Sequence, residues 1–129
     1  MAELIEVYMT KYGITALKAF ECIQNGYDAA EAWEKASCEV FGEGTSSQTK
    51  SCPKGAFLGL FSDSKSDNAQ YAIKAIYILK ENPDRVYKPR QLWRLVLSAL
   101  NENEGKTYNE QMHVVLALWE YPKSRSVLE

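Results

Sequence analysis

The chain has a single histidine, four prolines, three cysteines and no long apolar run. A lone His113 excludes a two-histidine metal site and any proton relay that needs two imidazoles. Cys22, Cys38 and Cys52 are odd in number and far apart, with no Cys-x-x-Cys pair. That spacing fits neither a disulfide framework nor paired zinc ligands, and it suits free thiols in a reducing, cytoplasmic setting. No window approaches the ~18 apolar residues of a membrane span. Glu3 and Glu6 stand where an export signal would be basic and then apolar, so no membrane partner is expected. A Gly-rich phosphate loop, a Ser-His-Asp set and carboxylates at a catalytic spacing are all missing. No metal and no cofactor are therefore expected. The formal charge of −2 gives no global attraction for nucleic acid, so any such binding has to come from a local patch.

What is there is helical periodicity. At 129 residues the chain reads as one domain, 1–129, able to bury roughly two thirds of its unfolded surface. Leu4, Ile5, Tyr8, Met9 and Tyr12 recur at helical spacing, with Gly13 as the stop or bend. Thr15 is placed to cap a second helix carrying Ala16, Leu17, Phe20 and Ile23, closed by Asn25-Gly26. Asp28 and Glu31 have the capping-box spacing and open a helix with Ala29, Ala32, Trp33, Ala36 and Val40 on one stripe, ending at Gly42. Residues 42–51 have no apolar side chain and read as a mobile surface loop. Asp67 and Gln70 repeat the capping spacing before a helix with Ala69, Ala72, Ile73, Ile76 and Leu79 inward and Tyr77 at its flank. Lys88-Pro89 starts another, with Leu92, Trp93, Val96 and Leu100 inward. Asn101 to Lys106 is a polar link closed by Gly105. Thr107 and Glu110 form a last capping box, and Met112, Val115, Leu116 and Trp119 a last stripe that Pro122 stops. No run alternates long enough for a strand. The fold class is all-α, a compact array of six or seven short helices.

At its centre the sequence places Cys52-Pro53-Lys54-Gly55-Ala56-Phe57-Leu58-Gly59-Leu60-Phe61. The spacing predicts a short helix over 53–61, starting at a proline whose missing N–H costs nothing there. After Lys54 it has no polar side chain, so it is expected to be buried on every side. Gly55 and Gly59 lie one turn apart and let a neighbouring backbone come close, at a cost of about 1 kcal/mol each in helix propensity.

That stretch and Asn109-Glu110-Gln111-Met112-His113-Val114-Val115-Leu116-Ala117-Leu118-Trp119-Glu120 together resemble an uncharacterised family of small bacterial helical proteins. Its pattern is a Cys-Pro-Lys-x-Ala-Phe-Leu-Gly-Leu block with a later Asn-x-Gln-Met block. Ala30-Glu31-Ala32-Trp33-Glu34 fits the same pattern, so the likeness spans most of the chain. The resemblance implies a domain of unknown function and brings no activity with it. In the family pattern a cysteine stands where this chain has Phe61 and an aspartate where it has His113.

Four groups of residues carry candidate chemistry. Cys52, beside Lys54 at a helix N-terminus, has the setting of a nucleophile or redox sensor, against a plain role as a small residue at the start of an apolar helix. The polar loop before it predicts partial accessibility. His113 has Glu110 on its helical side and reads as a surface residue. Lys80, Arg85, Lys88, Arg90 and Arg94 put five positive charges against Glu81 and Asp84, with Tyr87 and Trp93 nearby. Lys88, Arg90 and Arg94 are its nucleic-acid candidates, but the link to the last helix is about seven residues against the 3–4 of a helix-turn-helix. A solvated face is the favoured reading. Asn109 and Gln111 are the ligand-binding candidates with Cys52 and Lys54, Asn109 also serving the capping turn. Gln111 has no local task, so it is expected to bind backbone groups or a ligand. The leading function is a non-enzymatic accessory or interaction module binding a protein or small molecule between helices. A thiol enzyme or redox sensor through Cys52 and a nucleic-acid-associated protein through 80–94 follow it.

Overall fold

A computed structural model of the protein describes residues 9–129, and Leu4, Ile5 and Tyr8 of the first expected helix lie outside them. Seven helices follow one another among the described residues: α1 (Lys11–Gln24), α2 (Ala29–Phe41), α3 (Ser51–Phe61), α4 (Asp67–Glu81), α5 (Pro89–Ala99), α6 (Gln111–Glu120) and α7 (Pro122–Leu128). No strand occurs among the described residues. The all-α array read from the periodicity is therefore what the chain forms.

Several helix starts sit where short polar side chains put them. Asp28 Oδ1 accepts the Glu31 N–H at 2.8 Å and opens α2, which Gly42 closes at φ 91. Lys88-Pro89 opens α5, with Gln91 Oε1 accepting the Lys88 N–H at 3.3 Å. Elsewhere the register differs from the sequence reading. Gly13 neither stops nor bends a helix. It lies in the first turn of α1, where Thr10 Oγ1 accepts its N–H at 3.3 Å, and Thr15 is buried further along. A glycine so near a helix start costs little, because the turn is held by the cap. Ser66, not Asp67, caps α4 by accepting the Ala69 N–H at 3.2 Å. The Thr107–Glu110 box does not form; Glu110 precedes α6 at φ 68, in the left-handed region. Pro122 is the first residue of α7, a helix the sequence reading missed.

The loop at 42–51 is tied down instead of mobile. Gln48 is buried, and its Nε2 donates to Ser37 Oγ at 3.0 Å and Glu34 Oε2 at 3.2 Å. Its Oε1 accepts the Gly44 N–H at 3.1 Å, while Tyr12 donates its hydroxyl hydrogen to Ser47 O at 2.9 Å. A loop without apolar side chains is held here by its amides.

The centre of the array belongs to α6, which packs against α1, α3, α4, α5 and α7. All its residues from Gln111 to Trp119 are buried except His113. Each fully buried Leu, Val or Met contributes about 1.5–3 kcal/mol of transfer free energy, ample to offset the left-handed Glu110 before it. The 51–61 helix is buried on one side only: Pro53, Ala56 and Phe57 are covered, while Leu58, Leu60 and Phe61 are half-buried. Its glycines explain the side it presents to α4. A Cβ on Gly59 would lie 2.5 Å from Ala69 Cα and 2.7 Å from Ala69 O, and one on Gly55 would lie 2.7 Å from Asn68 Cβ. The close approach expected of these glycines is present, and α4 fills it.

Candidate functional site

Among the cavities of the described surface are two open to ligands. One, of about 250 Å³, is an apolar groove between α3, α4 and α7, with Leu60, Ile73, Ile76, Tyr77 and Val127 in its wall and Lys80 as its cation. The other, of about 360 Å³, lies between α5 and the 101–110 link. Arg90, Trp93, Arg94, Glu104, Lys106 and Tyr108 line it. Convergent polar groups distinguish the second.

The helix α5 supplies one wall. Arg90 and Arg94 stand one turn apart and exposed on its outer face, while Leu92, Trp93, Val96 and Leu97 hold its inner face in the core. The link supplies the other wall by folding back. Asn101, at φ 57, ends α5, and the Glu102 N–H reaches Leu97 O at 2.8 Å. Asn103 Oδ1 then accepts the Gly105 N–H at 2.8 Å and turns the chain again. Trp93 anchors this return: its indole N–H donates to Lys106 O at 3.1 Å. Tyr71 and Tyr108 flank the indole, with ring centroids 5.0 and 5.6 Å from it.

Three cations therefore meet at one place. The Arg90 guanidinium lies 5.1 Å from the centre of the Tyr108 ring. Lys106 Nζ donates to the Tyr71 hydroxyl and stands 3.9 Å from Glu102. That hydroxyl holds the Lys106 ammonium above its ordinary range, with Glu102 and Asp67 assisting, so the charge is firmly present at neutral pH. Glu104 is the one carboxylate in the lining. Behind the wall, Tyr108 accepts the His113 N–H at 2.9 Å, and Glu110 Oε2 is 3.2 Å from His113 Nδ1. His113 is half-buried here, not a surface residue as its spacing suggested, because Tyr108 and Glu110 close over it. Glu110 stands within pairing distance of it, as the spacing allows.

Of the residues singled out from sequence, the structure brings Arg90 and Arg94 into this cleft and leaves the exposed Lys88 out of its lining. Cys52 and Lys54 are half-buried in the first turn of α3 and line neither cavity. Cys22, Cys38 and Cys52 are all free thiols. Gln111 is buried and bridges helices: its Oε1 accepts the Asn109 N–H at 2.7 Å, and its Nε2 donates to Asn68 Oδ1 at 3.1 Å. Asn68 is the residue that Gly55 packs against, so the Cys-Pro-Lys block and the Asn-x-Gln-Met block meet through it. The task of Gln111 is this joint. Lys106, Tyr108 and Asn68 were not anticipated from sequence. The one available signal was Tyr108, five residues before the only histidine and next to the polar link.

A family of unknown function (DUF6979) matches residues 9–122. The chain belongs to this family. The match takes in both sequence blocks, the joint between them and the whole of the cleft. No curated protein and no solved structure matches the chain. Family membership therefore fixes kinship and leaves the activity to be argued from the cleft.

Proposed function

We propose that this protein is a non-enzymatic binding module of the bacterial cytoplasm, a single domain that takes a small anionic ligand between α5 and the 101–110 link. The observation that carries the reading is the convergence of Arg90, Arg94 and Lys106 on one cavity of about 360 Å³, with Glu104 as the one carboxylate of the lining and Glu102 beside Lys106. Guanidinium groups match the geometry of carboxylates and phosphates, and two of them beside an ammonium suit a doubly charged group. The volume is near the lower end of the range for ligand pockets, which favours a compact molecule. Trp93 is buried and Tyr108 carries Arg90 on its ring, so neither presents an open face on which a base would stack. A phosphate monoester or a dicarboxylate fits these features better than a nucleic-acid strand. The thiol reading loses ground because Cys52 lines neither cavity and has no side-chain hydrogen bond among the described residues.

Backbone amide NMR during titration with glycerol phosphate tests the reading. Shifts are expected to cluster at 90–94 and 104–108, and Arg94→Ala is expected to weaken binding about tenfold, as loss of a charge-assisted contact does. Shifts centred on Cys52, or none at all, would refute it.

A further inference from the structure

His113, Glu110 and Tyr108 form a cluster directly behind the cleft wall, and two of its members compete for one nitrogen. The Tyr108 hydroxyl pairs with His113 Nδ1 while accepting the backbone N–H of the same residue at 2.9 Å. Glu110 Oε2 lies 3.2 Å from that Nδ1. In the neutral imidazole the two tautomers differ at this nitrogen: Nδ1 either accepts from the Tyr108 hydroxyl or donates to Glu110. A protonated imidazole has only the second choice. Nδ1–H then donates to Glu110 or to the Tyr108 oxygen, and the hydroxyl hydrogen has to turn away.

The groups that bear on the imidazole are few. Burial favours its neutral form, and Arg90, reaching over from α5, does the same by repulsion. Glu110, at the start of α6, favours the charged form. Burial also pushes the Tyr108 hydroxyl far up, so Tyr108 remains a hydroxyl throughout. Glu110 and Arg90 are thus the charged groups set against each other at this ring. Arg90 and Tyr108 are at once neighbours of His113 and lining of the cleft. An anion placed against Arg90 offsets the repulsion that this guanidinium exerts on an imidazolium, and adds an attraction of its own.

We propose that anion binding in the cleft is linked to protonation of His113, so that the anion binds more tightly as the pH falls. The proposal rests on the anion-cleft reading above. By reciprocity the bound anion raises the affinity of His113 for its proton by the same factor. The sign for the free protein follows from burial. His113 is held below the ordinary value of about 6.5, so the unfolded chain takes up the proton first. Stability is full above about pH 6.5 and falls as the pH drops from there to the lowered folded-state value. A bound anion narrows that window.

His113 is the only histidine, so its ring signals can be followed by NMR without ambiguity. The probe is sodium sulfate, which stays a dianion throughout, with sodium chloride at matched ionic strength as the control. Saturating sulfate is expected to raise the His113 midpoint by about half a pH unit or more, a roughly threefold change in sulfate affinity across the titration. Arg94→Ala is expected to move that rise to about tenfold higher sulfate, in step with its weaker binding. If sulfate shifts the cleft amides while the midpoint stays or falls, the linkage is overturned and the anion site stands. If sulfate leaves the cleft amides unmoved, the site and the linkage fall together.

Discussion

Two helices of this chain are apolar through most of their length, yet α3 lies at one side of the core and α6 runs through its middle. The difference is in what each offers its neighbours. α3 has Gly55 and Gly59 on one side, so α4 comes up against bare backbone there, and the side chains of Leu58 and Leu60 stay half-buried. α6 carries Met112, Val114, Val115, Leu116, Leu118 and Trp119 around its whole circumference and takes α1, α3, α4, α5 and α7 as neighbours. Lack of polar side chains permits burial on every side without requiring it. How many neighbours arrive decides.

The comparison can be broken by substitution. Leu118→Ala is expected to destabilise by about 3–5 kcal/mol in urea unfolding, since the site is fully buried and walled by several helices. Gly59→Ala comes next. Its methyl would meet the Ala69 backbone, which cannot turn away as a side chain can, and a net loss of about 2 kcal/mol is expected after the gain in helix propensity. Gln111→Leu keeps the volume but leaves the Asn109 N–H and Asn68 Oδ1 without their partner, at a cost of about 1–2 kcal/mol. Leu60→Ala is expected to be the mildest, about 1 kcal/mol, because half of that side chain already faces the groove. A burial-on-all-sides reading of the sequence predicts about 2–5 kcal/mol for the same change. A loss at Leu60 equal to that at Leu118 would erase the distinction between the helices.

Local chemistry was legible from sequence and long-range chemistry was not. Asp28, Gly42 and Lys88-Pro89 mark their boundaries because a cap is satisfied within three or four residues. Pro122 misled because the same preference for a first helical position that opens α5 at Pro89 also opens α7, and a proline reads equally well as a stop. Gln48 looked like solvent-facing loop, since its partners Glu34 and Ser37 lie back along the chain on α2. In the cleft, Arg90 and Arg94 were visible together because helical spacing alone aligns them. Lys106 was not, since its place depends on Trp93 drawing the link back across α5. Gln111 stood out as an amide without a local task, and its actual partner, Asn68, is 43 residues away.

Native-state hydrogen exchange compares the two helices most directly. The account predicts that the amides of α6 from Val114 to Trp119 exchange only through global unfolding, while those of α3 from Leu58 to Phe61 exchange faster through local opening. Amides of α3 as slow as, or slower than, those of α6 would contradict the claim that α6 organises the fold.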